Sequence, residues 1–411
     1  SSVTMYLFED VPTAPMDAIL GVTIKYNEDT DPRKLNLGVG AYRTDEGKPW
    51  VLDSVVEAEK IVREQPAYNH EYAGIEGVPA LLPPAASLIF GADCSLINEG
   101  RIMSCQSISG SGAIRLGFET VKMFAGNQCP GVLIPNPTWG NHTHMATSMG
   151  FNTFTYRYWS EEKKWFDVVA CLEDLAAAPN GCIALLHCCA HNPTGADPSE
   201  EAWKEIITLC VQKGHIMLFD TAYQGFATGD VEADVFPIRM AVNLGHQVMV
   251  SQSFAKNLGL YGERTGCLHV TTSSKASCAA LLSQVKRIAR ASYSSPPVYG
   301  AKVAATVLTT PALRTQWEED LRTMVNRMNA VREALVASLE RVGAPGTWTH
   351  ITRQRGMFSY TGLTAQQSEA MSADHHIYMT SNGRISLAGM KLRDADYVAE
   401  AIKAVMLKYP A

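Results

Sequence analysis

Ser253, Lys256 and Arg264 fall within one stretch, Ser251-Gln-Ser-Phe-Ala-Lys-Asn-Leu-Gly-Leu-Tyr-Gly-Glu-Arg264, immediately after an apolar run that reads as a strand. A lysine in water is protonated and inert. At the mouth of an α/β crevice with a cation nearby, its ammonium form is disfavoured and the free amine can condense with an aldehyde. Ser253 and Arg264 add a hydroxyl and a planar fork of N–H donors, which suit a phosphate dianion. An amine beside a phosphate clamp points to pyridoxal phosphate. Two other readings stay open on these residues alone: a solvated surface lysine, and the Ser-x-x-Lys nucleophile motif. The companions of that motif, Ser-Asp-Asn and Lys-Thr-Gly, occur nowhere in the chain.

Further candidates follow other apolar runs. Asp220 and Tyr223 stand in Ile216-Met-Leu-Phe-Asp-Thr-Ala-Tyr223. A buried carboxylate beside a pyridine nitrogen keeps that nitrogen protonated and electron-withdrawing, whereas a plainer role is to cap the next helix. Ser109, Gly110 and Ser111 lie in a glycine loop that opens the apolar, helix-compatible run 116–124, where free N–H groups and the helix dipole make an anion site. The loop lacks the Gly-Lys-Ser/Thr of a Walker motif and the third glycine of a dinucleotide fingerprint. His187 and His191 have a metal-like spacing, but Pro193 follows them, so no metal is expected; Asn192 instead offers an amide at a turn. Trp139 has a flat face for an aromatic ring, and His142 suits a hydrogen-bonding support. Arg290 and Arg384 each stand beside small residues and a turn.

These residues need a sheet to gather them. Between residues 100 and 270 strand-like runs at 132–135, 182–189, 216–219 and 247–251 alternate with helical patterns such as 200–213, which predicts a parallel sheet with crossover helices. Ligands in such sheets collect beyond the carboxyl ends of the strands. A continuous helical pattern from 313 to about 339 predicts a helix long enough to bridge two domains, and residues 16–27 predict a short helix. The expected division is an arm over 1–14, a small α+β domain from 15–47 and 330–411, and a large domain over 48–329. The 411 residues exceed what a single core usually supports.

Lysine and arginine total 35 against 41 aspartates and glutamates, a net charge of −6, so neither nucleic acid nor an anionic membrane is favoured. Ten scattered cysteines suit free thiols in a reducing compartment. The first basic residue, Lys25, follows three acidic ones without an apolar stretch, which predicts a cytoplasmic protein, with the mitochondrial matrix as the alternative.

Taken in order, Asn36-Leu-Gly-Val-Gly-Ala-Tyr-Arg43, Asn69-His-Glu-Tyr72, Ser109-Gly-Ser-Gly112, Asn136-Pro-Thr-Trp139, Ala190-His-Asn-Pro-Thr-Gly195, Asp220-x-Ala-Tyr-Gln-Gly225, Ser253-x-x-Lys256, Gly262-Glu-Arg264 and Gly383-Arg-Ile-Ser386 resemble the aspartate aminotransferases of the class I pyridoxal-phosphate-dependent family. The resemblance runs from about residue 8 to the C-terminus. It implies fold type I, with a mostly parallel seven-stranded sheet flanked by helices plus a smaller α+β domain, and a homodimer with shared active sites. It implies reversible amino transfer between L-aspartate and 2-oxoglutarate by a ping-pong route.

By the same resemblance, Lys256 is the amine that condenses with pyridoxal 5'-phosphate and later shuttles a proton. Asp220 pairs with the ring nitrogen, supported by His142, and Trp139 stacks on the ring. Tyr223 and Asn192 hydrogen-bond the phenolic oxygen. Ser109, Gly110, Ser111, Ser253 and Arg264 hold the phosphate, with Tyr72 of the neighbouring subunit. Arg384, Asn192, Trp139 and the backbone of Gly40 bind the substrate's α-carboxylate end, and Arg290 of the neighbour grips its side-chain carboxylate. Four positions depart from some members: Ser111 for Thr, Ala255 for Ser, Tyr293 for Trp and Ser295 for Asn. The last two, near Arg290, leave a broad-specificity or aromatic aminotransferase as the alternative.

Overall fold

The computed structural model describes Phe8 and residues 10–410. Most of the expected arm, residues 1–7 and 9, lies outside them. A seven-stranded sheet forms the centre. In chain order its strands are β1 (Ile102–Ile108), β2 (Val132–Asn136), β3 (Thr153–Arg157), β4 (Ile183–His187), β5 (Ile216–Thr221), β6 (Val248–Ser253) and β7 (Thr265–Thr271). Across the sheet they run β1-β7-β6-β5-β4-β2-β3. All pairings are parallel except those of β7, which is antiparallel to both β1 and β6. Every residue of β4, β6 and β7 is buried, as befits strands covered on both faces by helices.

The reversal of β7 determines what meets at one end of the sheet. Its first residues lie at the carboxyl ends of β1 and β6, with Thr265 opposite Ile108 and Gly266 opposite Ser253. Three chain segments, 108–111, 253–256 and 262–265, therefore converge. The approach demands glycine at 266, where an added Cβ would stand 2.5 Å from the Gln252 carbonyl oxygen and 2.6 Å from the Ser109 carbonyl carbon.

Several expected boundaries shift, with consequences for the site. Strand β5 continues past residue 219 to include Asp220, and β6 continues past 251 to include Ser253, so both side chains sit on the sheet itself. The run expected at 182–189 is a strand only over Ile183–His187. The glycine loop expected before residue 116 is instead the first turn of a helix, Ser109–Phe124, into which Ser109 turns the chain directly at φ +58.

The long helix spans Pro311–Val342 and ends at Gly343 in a left-handed cap. Leu321, Met324, Val325 and Met328 join one apolar cluster with residues of the sheet's helices, while Val331, Leu335 and Leu339 join another built from Leu37 and residues 348–405. One helix thus belongs to two cores. Near its start the fully buried Trp317 donates from its indole Nε1 to the Asn257 carbonyl at 2.6 Å, anchoring the turn that carries Lys256. Two short pairings follow: Leu35–Asn36 with Ile377–Tyr378, which joins an early segment of the chain to a late one, and Phe358–Tyr360 with Arg384–Ser386. Among the described residues no helix is long and apolar enough to cross a membrane, and the ten cysteines are free.

Candidate active site

A cavity of about 250 Å3 opens beyond the carboxyl ends of β4, β5 and β6, where Lys256, Asp220, Tyr223, Asn192, Trp139 and Arg384 meet the segment Ser109–Ser111, Ser253 and Arg264. Gly40 lines it as well, and Ile19 and Phe358 add apolar wall that the sequence had not marked. Three expected residues stand apart. His142 is fully buried behind Asp220, Tyr72 is 90% exposed, and Arg290 is exposed, donating to the Ser294 hydroxyl.

At one end the helix Ser109–Phe124 begins without a side-chain cap, so the N–H groups that follow Ser109 in its first turn have no side-chain acceptor. The Ser109 hydroxyl lies 3.2 Å from that of Ser253, and the Ser109 N–H donates to the Arg264 carbonyl at 3.0 Å. Helix dipole, two hydroxyls and a guanidinium point at one place, the donor set a phosphate needs.

At the other end Asp220 Oδ2 lies 2.8 Å from His142 Nε2. His142 Nδ1 lies 2.8 Å from the Thr138 hydroxyl, which lies 3.0 Å from His187 Nε2, and the Asn192 N–H reaches His187 Nδ1 at 3.4 Å. One proton assignment satisfies the whole chain. The Asn192 amide can only donate, so His187 carries its proton on Nε2 and donates to Thr138; Thr138 donates to His142, which donates to Asp220. Burial holds His187 down to about 3, aided by neighbouring His142, in keeping with that neutral ring. Burial also pushes the Asp220 carboxyl up, but the hydrogen bond from His142, with Lys256 nearby, leaves it below its ordinary value. Asp220 is a buried anion facing a cavity. Thr138 and His187 were missed as a pair because they lie 49 residues apart and meet only through the β2–β4 neighbourhood.

Lys256 sits between these ends, its Nζ 5.6 Å from the centre of the Tyr223 ring. Burial lowers its pKa and Asp220 opposes, while Arg264 and Arg384 lower it further, so the free amine is favoured relative to a lysine in water. Burial pushes the Tyr223 phenol up, so it stays a donor. Arg384 is buried and, among the described residues, has no carboxylate partner. Its Nη2 donates to the Gly38 carbonyl at 2.8 Å and its Nη1 to Asn192 Oδ1 at 3.2 Å, while Nε is unpartnered. The ring of Phe358 lies 4.0 Å from Arg384 Cζ. Burial lowers this guanidinium to about 10, still a cation at neutral pH. A buried cation facing a cavity without a counterion is suited to bind a carboxylate.

The donor set fits pyridoxal phosphate. The cradle matches its phosphate, the anionic Asp220 its ring nitrogen, the Tyr223 hydroxyl its phenolic oxygen, and the amine of Lys256 its aldehyde.

Comparison with known proteins agrees with this chemistry. The family model for aminotransferase class I and II matches residues 32–402. The cytoplasmic aspartate aminotransferase of Saccharomyces cerevisiae is 44% identical over 98% of this chain and 98% of its own length, and a solved structure of the enzyme from that cytoplasm superposes with a TM-score of 0.95 over 98% of this chain and 99% of that one. The mitochondrial aspartate aminotransferase of Dictyostelium discoideum is 45% identical over 96% of this chain and 92% of its own. An aromatic-amino-acid aminotransferase from Burkholderia pseudomallei, solved covalently bound to pyridoxal phosphate, is 38% identical, with a TM-score of 0.93 over 98% of this chain and 100% of that one.

Proposed function

This chain belongs to the class I and II aminotransferase family and is a pyridoxal-phosphate-dependent transaminase of fold type I, and from that premise we propose that it transfers the amino group reversibly between L-aspartate and 2-oxoglutarate, giving oxaloacetate and L-glutamate. The observation that carries the reading is the buried Arg384, without a carboxylate partner among the described residues, lining the same cavity as Lys256. When bound, the cofactor supplies an aldehyde that condenses with amines and a ring that withdraws electrons from the substrate Cα.

The protein's own groups do the rest. The first turn at Ser109, Gly110 and Ser111, with Ser253 and Arg264, holds the phosphate and fixes the ring's position. Asp220 keeps a proton on the ring nitrogen, and the chain through His142, Thr138 and His187 holds Asp220 in place as an acceptor. Trp139 covers one face of the ring. Tyr223 and Asn192 donate to the phenolic oxygen. Arg384 fixes the α-carboxylate by a bidentate grip, beside the backbone of Gly40. Lys256 would be the base that takes and returns the proton at the substrate Cα.

Tyr72 and Arg290 lie at the surface, away from the cavity of their own chain, which supports reading each as a contribution to the neighbouring subunit's site in a homodimer. The split of apolar clusters along the long helix supports a small domain of residues 15–47 and 330–411 set against a large one of 48–329. The free thiols support a reducing compartment, the cytoplasm with the mitochondrial matrix as the alternative.

R290D is expected to reduce the preference for aspartate over alanine by several kcal/mol, the scale of a lost buried charge pair. Steady-state kcat/KM for the two substrates measures it, and an unchanged ratio refutes the role. Mixing unfolded and refolded R290D with K256A should restore aspartate turnover, because a hybrid dimer joins one intact Lys256 to the partner's intact Arg290; no restoration refutes the sharing. A broader specificity is the second reading. It is favoured by the turn beside Arg290, where Tyr293 is tied to the Gln106 carbonyl at 3.3 Å and Ser295 is small, so neither need close the pocket against a larger side chain.

A further inference from the structure

Behind the turn that carries Asn192 lies a second cleft, walled partly by the long helix and by residues 352–355. Asp197 stands at its edge, a carboxylate with no part in the site described above. Asp197 Oδ2 accepts from the Ala190 N–H at 2.7 Å and Oδ1 from the His191 N–H at 2.9 Å. These are the two residues immediately before Asn192. Ala190 has φ +49, a left-handed backbone that a residue bearing a Cβ adopts at a cost.

The surroundings make this conformation consequential. Ala190 and His191 are buried, so without Asp197 two peptide N–H groups would be left unpaired away from water. The opposite side of the turn is pressed by the segment Gln354–Gly356: the Arg355 N–H donates to the Gly195 carbonyl at 2.8 Å, and a Cβ on Gly356 would fall 2.6 Å from that of Ala190. Packing limits where the turn can go, and Asp197 supplies the fixed acceptors that select one backbone. Relaxation of Ala190 to a negative φ would rotate the following peptides and carry Asn192 with them.

We propose that Asp197 is a positioning residue whose carboxylate holds Ala190 left-handed and thereby sets the Asn192 amide against the cofactor's phenolic oxygen and Arg384. The proposal rests on the reading of Asn192 as a cofactor- and substrate-binding residue. Asn192 Oδ1 already receives Arg384 Nη1, which turns its N–H groups toward the other side. Loss of that donor would leave the phenolic oxygen of a bound cofactor more basic.

The test uses the holoenzyme of D197N, N192A and the double variant. Two quantities are read: the midpoint of the pH titration of the visible absorption of bound pyridoxal phosphate, and the dissociation constant of succinate, a dicarboxylate without an amino group. D197N is expected to raise the midpoint by roughly 0.5 to 1 pH unit, the effect of one ordinary hydrogen bond, and to weaken succinate several-fold. Neither change should add to that of N192A. A190G, in which glycine takes the left-handed backbone without strain, should move the D197N midpoint back toward the wild-type value; should D197N fail to fold, the comparison is made between A190G and A190G/D197N. An unmoved midpoint in D197N with a moved one in N192A overturns the proposal alone, leaving Asp197 a merely structural residue. An unmoved midpoint in N192A overturns the reading of Asn192 and the proposal with it.

Discussion

K256A is expected to retain bound pyridoxal phosphate yet lose amino transfer, with kcat lower by on the order of 10⁴-fold or more, the upper end of what a positioned acid–base group contributes. Retention follows because the phosphate cradle and Asp220 stand on separate segments that the substitution leaves alone. Loss follows because Lys256 is the one amine facing the cavity among the residues that line it, and no second lysine stands there to move the proton. Single-turnover absorption with L-aspartate measures the step directly. Turnover within tenfold of the wild type would show that the proton is carried by another group.

D220N is expected to cost amino transfer heavily as well. Asparagine keeps the size and still accepts from His142, but it carries no charge to hold a proton on the ring nitrogen. Removing one partner of a buried ion pair costs roughly 3–5 kcal/mol, which corresponds to a fall of about 10² to 10⁴ in rate if the pair is strongest in the transition state. The pH dependence separates this from a folding defect. Burial opposes the ionised form of Asp220, but the hydrogen bond from His142 and the nearby Lys256 hold its pKa below the ordinary carboxylate value. A depressed carboxyl contributes stability that is present above its unfolded pKa and is lost only as pH falls through the folded one. The wild type should therefore show no activity limb from Asp220 near neutrality, and D220N should be depressed uniformly there. A D220N profile that recovers wild-type rates at any pH near neutrality would contradict the assignment.

Much of this site was legible because its chemistry sits at strand ends. Lys256, Asp220, Asn192 and Trp139 each follow or end an apolar run, so the rule that ligands collect beyond the carboxyl ends of a parallel sheet pointed to them before any geometry was known. The reversed strand β7 was not legible. It is buried along its whole length and scatters Gly266, Cys267 and His269 among Thr265, Leu268, Val270 and Thr271, so no alternation marks it. Its direction nonetheless places Arg264 beside Ser109 and Ser253. The relay from Asn192 to Asp220 was hidden for another reason: Thr138 looks ordinary in sequence, His187 suggested only a metal-like spacing, and only the pairing of strands gives each a donor and an acceptor. The same holds for Asp197, five residues past Asn192, whose use depends on a left-handed turn that local sequence does not announce. Boundaries moved where tertiary contacts extended a strand, as at Asp220 and Ser253, beyond the apolar residues that marked it.

The visible absorption spectrum of the protein with bound pyridoxal phosphate, recorded before and after L-aspartate and separately after L-phenylalanine, bears most directly on the central claim. A band from the lysine-bound cofactor that aspartate bleaches to the amine form, and that phenylalanine leaves largely in place, is the expected result. Bleaching by both amino acids alike would replace the aspartate reading with the broad-specificity one, and failure of aspartate to bleach the band would contradict the account.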